Sequence, residues 1–207
     1  MKGYIKIRKK ILGILNTKLP KGLYYHGIHH TLDALRVCNQ YVKRCDENLI
    51  RNKLNDHSAK LLRLGVLFHD IGFTVSFHDH ELRGAEIAEK LMNEFDFPQK
   101  DIDIVKGLIM ATRIPQTPKN YLEKIICDVD LDYLGRNDFY PISDQLFKEV
   151  KFNSVVRNKL EWDKIQIKFL EAHNFHTDFA KKNRRPNKEK RLAELKKLVK
   201  FMEFGEI

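Results

Sequence analysis

Three histidines stand within eight residues in "YYHGIHHT", residues 24–31, and a His-Asp pair, His69 and Asp70, closes the apolar run "GVLFHDIGF". A third group, Asp128, Asp130 and Asp132, falls inside "EKIICDVDLDYLGR", residues 123–136. Imidazole and carboxylate donors embedded in apolar segments suit a divalent cation of the Mn²⁺, Fe²⁺, Co²⁺ or Zn²⁺ kind, and Mg²⁺ less well. A buried carboxylate without a cationic partner costs several kcal/mol or shifts its pKa, so such an acid points to a nearby positive charge. The spacing of the three aspartates does not make a calcium loop. Tyr133 and Phe139 stand where that loop needs its glycine and its terminal glutamate.

These residues need helices to position them. Apolar periodicity is helical almost throughout and predicts helices over roughly 4–17, 28–45, 56–70, 79–95, 99–112, 119–134, 143–150, 154–173 and 187–204. Breaks are expected at "LPKG", "FDFP", "RIPQTPKN" and the "YP" of 140–141. The best strand pattern is the short "FTVSF", residues 73–77. The expectation is one all-α domain over 1–207. In the helix over 28–45, His30 shares a face with Ala34, Val37 and Tyr41. The helix over 56–70 is apolar around most of its circumference, which implies burial on several sides. Gly72 reads as its stop.

The order of these groups is more specific than any one of them: His, His-Asp about 40 residues on, Asp about 60 residues further. It resembles the H…HD…D pattern of the HD-domain superfamily of metal-dependent phosphohydrolases. The likeness runs through "YYHGIHHT", "FHDIG", "HELRGAEIAEKL" (80–91), "IMATRIPQTP" (109–118) and "CDVDLD", covering about 22–135. It implies a helical bundle of the HD type, with basic N- and C-terminal helices packed on the motif core. It implies a divalent metal held by His30, His69 and Asp70, and a phosphoester of a nucleotide or similar small substrate cleaved by a metal-activated water. For the last ligand, Asp130 in "VDLD" fits the family's small-residue-then-Asp pattern best. Asp128 in "CD" is the close second, and the sequence leaves both open. His80 is the candidate for a second metal, and Asp70 doubles as the group that accepts the water's proton. In the cyclic nucleotide phosphodiesterase branch a His at the place of His26 serves as general acid, and His26 is the candidate for that role. Arg113, Lys119 and Arg136, with Gln116, are candidate phosphate contacts, and His173 and His176 candidates to cover the pocket.

The chain carries a formal net charge of +10, and the ends supply it. Residues 1–21 hold seven Lys/Arg and no acid, and 181–200 hold ten Lys/Arg and two acids. A basic end can attract phosphates or nucleic acid, or form only a solvated helix face. This sustains a second reading, a nucleotide- or nucleic-acid-binding module on the same scaffold with little turnover. A third is a helical interaction protein with incidental histidines. No run approaches the roughly 18 apolar residues of a membrane span. The basic start reads as a helix and not a signal peptide. Three cysteines, Cys38, Cys45 and Cys127, form no CxxC, which favours a reducing cytoplasm. The sequence does not fix the oligomeric state.

Overall fold

Helix α1 (Lys2–Lys18) buries Ile7, Ile11 and Leu15, a stripe at intervals of four residues that presents one face inward. The computed structural model describes residues 2–47 and 54–205. The side chains of residues 2 and 45–47, Cys45 among them, lie outside the described ones. The described residues are helical or in turns, with no strand among them. The chain forms two compact units, Met1–Asp130 and Leu131–Ile207.

In the first unit, α2 (Ile28–Glu47), α3 (Asp56–Phe68), α4 (His80–Glu94), α5 (Gln99–Ala111) and α6 (Tyr121–Asp130) follow α1. Asn55 caps α3, its side-chain oxygen accepting from the Ser58 N–H at 2.8 Å. Leu61, Leu62, Leu64, Val66, Leu67 and Phe68 are all buried, because α1, α2, α5 and α6 pack around this one helix. Gly65 lets α5 and α6 come in: a Cβ there would stand 2.9 Å from Leu108 and 3.2 Å from Ile126. The apolar circumference expected of this segment is thus the signature of a central helix.

α3 ends at Phe68, before the His-Asp pair, and Ile71–Thr74 forms a 3-10 turn. The strand-like pattern of 73–77 forms no strand, and its Val75 and Phe77 point to solvent. The turn also corrects the role of Gly72. The residue lies inside the 3-10 turn, and its side-chain position is filled by neighbouring backbone. A Cβ there would fall 1.8 Å from the His80 carbonyl oxygen and 2.8 Å from the Gly84 nitrogen. Gly72 therefore presses the His-Asp turn against the first turns of α4.

The helix expected over 119–134 is interrupted. α6 stops at Asp130 and the second unit opens with a 3-10 turn, Asp132–Gly135. There follow α7 (Phe139–Phe152), α8 (Lys159–Ala172), α9 (Asp178–Asn183) and α10 (Arg185–Phe204). Tyr140 and Pro141 do not break the chain. They stand in the first turn of α7, where a missing proline N–H leaves no helical bond unmade. Ser143 donates to Gln166 at 2.5 Å, Trp162 donates to Ser143 at 3.2 Å, and Gln166 donates to Asp163 at 3.0 Å, which ties α7 to α8 inside the core. The Lys188 ammonium of α10 donates to the carbonyls of Leu170 and His173, satisfying the end of α8. Basic α10 thus packs on α8, as α1 packs on α3 in the first unit.

Because the atoms that crowd Gly72 are backbone and cannot swing aside, Gly72→Ala should destabilise the protein by about 3 kcal/mol or more. Urea unfolding monitored by circular dichroism measures this. A midpoint unchanged from the parent would show that the turn and α4 are not in such close contact.

Candidate metal centre

α2, α3 and α6 run side by side, and each delivers one ligand-type side chain to the same point. His30 lies in the first turn of α2, whose start is closed by a bond from the His30 N–H to the Gly27 carbonyl at 3.0 Å. His69 caps the C-terminus of α3, and Asp130 ends α6. Helix α6 is itself anchored by a reciprocal cap. Asn120 Oδ1 accepts from the Glu123 N–H at 3.0 Å, and Glu123 Oε1 accepts from Asn120 Nδ2 at 2.7 Å.

The Nε2 atoms of His30 and His69 are 3.1 Å apart, and Asp130 Oδ1 lies 3.2 Å from the first and 3.4 Å from the second. Asp70 Oδ2 comes within 3.2 Å of His69 Nε2 and 3.5 Å of His30 Nε2. Both imidazoles and Asp70 are buried.

One contact fixes the chemistry of this arrangement. His69 Nδ1 is 2.7 Å from the Val66 carbonyl oxygen. A carbonyl only accepts, so Nδ1 carries the hydrogen, and the neutral ring turns a lone pair from Nε2 toward the cluster. Asp70 Oδ2, though buried, accepts no hydrogen bond. Acceptor atoms thus converge where a cation would relieve their repulsion, and the set fits a divalent ion. His30, His69 and Asp130 could hold one, with ligand atoms within 4.8 Å of one another.

The electrostatics agree. Burial pushes the His69 pKa down, but the carboxylates of Asp70 and Asp130 overcome it and raise it well above the usual value. Burial pushes Asp130 up, yet its contacts with the His30 and His69 imidazoles bring it down to about 2. The Asp70 carboxyl, beside His69, is likewise held below the usual carboxylate range against the effect of its burial. The cluster is a trap for positive charge.

Beside it, His80 opens α4, with Nε2 3.7 Å from Asp70 Oδ1 and 3.5 Å from Glu81 Oε1. Its ring stacks on Phe73 at 3.9 Å, and burial lowers its pKa despite the two carboxylates. His26 does not begin a helix turn. It sits in the bend before α2, its ring 4.6 Å from Phe73, 6.0 Å from His30 and 6.3 Å from His80. Phe73 and buried Glu81 were missed in the sequence. The signal for Glu81 was its place directly after His80; Phe73 had none.

Asp128 is fully buried and outside the ligand group. Arg113 is paired with Asp79 at 2.6 Å, both half-exposed. Gln116 donates weakly to the Cys127 carbonyl at 3.4 Å. Lys119 is exposed, with its backbone N–H on Glu123 at 2.6 Å. In the second unit, Arg136 is paired with Asp138 at 2.5 Å, and Arg184 donates to buried Asp132 at 2.8 Å. His173 and His176 lie in the turn between α8 and α9, and His173 packs on Phe169 and Phe175.

The family model for the HD domain matches residues 27–133, just over half of the chain. The chain belongs to the HD-domain family. This family is one of metal-dependent phosphohydrolases, and in this HD-domain chain the matched segment contains every residue of the ligand group. No curated protein and no solved structure matches the chain. Among the described residues, no helix of this HD-domain protein is long and apolar enough to cross a membrane.

Because a ligand that binds only the folded state stabilises it by mass action, Mn²⁺ or Co²⁺ added to chelator-treated protein at about 100 times its Kd should contribute about 2.7 kcal/mol. A rise in Tm of several degrees, reversed by chelator, is the expected result. A Tm indifferent to all divalent ions would contradict the fit.

Proposed function

We propose that this HD-domain protein hydrolyses a phosphoester of a nucleotide or similar small substrate, with His30, His69, Asp70 and Asp130 as the metal ligands. The observation that carries this reading is the convergence of two imidazole Nε2 atoms on Asp130 Oδ1, all within 3.4 Å, with Asp70 Oδ2 alongside and unbonded. A divalent cation supplies Lewis acidity and makes water acidic enough to attack at neutral pH.

The chain's own groups do the rest. The Val66 carbonyl locks the His69 tautomer, so the ring needs no reorganisation during turnover. Asp70 turns Oδ2 to the imidazoles and Oδ1 to His80, a placement suited to orienting a water and accepting its proton. His80, with Asp70 Oδ1 and Glu81 Oε1, is the place for a second ion. His26, half-buried against Phe73, protonates the leaving oxygen. Arg113 contacts the substrate phosphate. Its pair with Asp79 is half-exposed, so it is worth roughly 1 kcal/mol or less and yields to a doubly charged anion.

A panel of chromogenic phosphoesters, nucleoside mono-, di- and triphosphates and cyclic nucleotides, assayed with Mn²⁺, Co²⁺, Mg²⁺ or chelator, tests the reading. Metal-dependent turnover should appear and vanish in the His69→Ala/Asp70→Ala double variant. Equal hydrolysis by parent and double variant would overturn it. His26→Gln should slow esters with poor leaving groups by about 100-fold or more while sparing p-nitrophenyl esters, because only the former need a proton. Equal losses on both would remove the acid role.

A further inference from the structure

The outward face of α1 carries a feature that the metal centre does not use. Lys6, Lys9, Lys10 and Lys18 line an open groove of about 560 Å³ together with Phe95, and no acid is among the described residues that line it. These four lysines are spread over residues 6–18 of α1, about 18 Å of helix. Gly13 lies between them and exposed, and a side chain there would meet nothing within 4 Å. The groove floor is therefore open backbone. Phe95, just past α4, is half-buried and offers a ring to the groove.

Four ammonium groups and an aromatic ring lining one groove match the two needs of a nucleic-acid strand, charge for the phosphates and a flat surface for a base. A membrane surface fits less well. The apolar stripe of α1, Ile7, Ile11 and Leu15, is already buried in the first unit, so the helix has no continuous apolar face left to insert. We propose that this groove binds single-stranded nucleic acid, with the four lysines on its phosphates and Phe95 against a base. The proposal is independent of the metal chemistry and stands or falls on this groove.

Fluorescence anisotropy of labelled oligo-dT and oligo-U with the full chain, in chelator so that no ester is cleaved, tests it. Four phosphate contacts predict a slope of log K against log salt of about −3, hence binding about 50-fold weaker at 200 mM than at 50 mM salt. Gly13→Glu puts a carboxylate on the groove floor without a clash and should weaken binding tenfold or more. Gly13→Gln, the neutral control of equal size, should stay within about twofold of the parent. Lys6→Gln/Lys10→Gln should flatten the slope by about 1.4. Equal binding by Gly13→Glu and Gly13→Gln, or an unchanged slope in the double lysine variant, would overturn the proposal. So would anionic phosphatidylserine vesicles that capture the protein while oligonucleotide fails to compete.

Discussion

Buried negative charge is the constraint on which this structure depends. The first unit places two carboxylates, Asp70 and Asp130, against two buried imidazoles, and orients one imidazole so that its lone pair faces inward. Charge of this kind in a poorly hydrated interior is costly unless it is compensated. The way other buried acids are treated makes the point. Asp132 receives the Arg184 guanidinium at 2.8 Å, and Asp163 receives Lys159 at 3.2 Å together with Gln166. At Asp70 and Asp130 the nearby groups are imidazoles, which are neutral ligands when they are not protonated.

The surrounding architecture serves this one point. α3 is central, so its C-terminus opens into the middle of the first unit and not onto the surface. Gly65 admits α5 and α6, and α6 carries Asp130 to the same place. Gly72 draws α4 against the His-Asp turn, which sets His80 and Glu81 beside Asp70. The ligand groups come from three separate stretches of chain, so their spacing is fixed by helix packing and not by a flexible loop. That rigidity is what pre-organised charge stabilisation needs.

Much of this was legible in the sequence, for identifiable reasons. Helices show in their periodicity, and α2, α4 and α5 begin and end within two residues of where the pattern put them. The grouping of His30, His69 and an aspartate of 128–132 was readable because such residues stand out against apolar neighbours. Which aspartate stands with the imidazoles was not, since Asp128 and Asp130 are both in α6 and only the packing of that helix separates them. Phe73 was lost because alternating apolar residues look alike in a strand and in a 3-10 turn. Gly72 was seen as a helix stop when its reason is a contact with α4, a tertiary fact that no local pattern contains. The last helix, α10, starts two residues before the pattern put it, whereas the six-residue α9 is too short to show a period.

The central claim is that two imidazoles and at least one carboxylate bind one ion. X-ray absorption on zinc-loaded protein reads this directly. The account predicts a shell of N/O neighbours at about 2.0–2.2 Å with the outer-shell scattering of two imidazole rings, and the loss of one ring's scattering in His30→Ala. A spectrum without imidazole scattering, or one unchanged in His30→Ala, would contradict it.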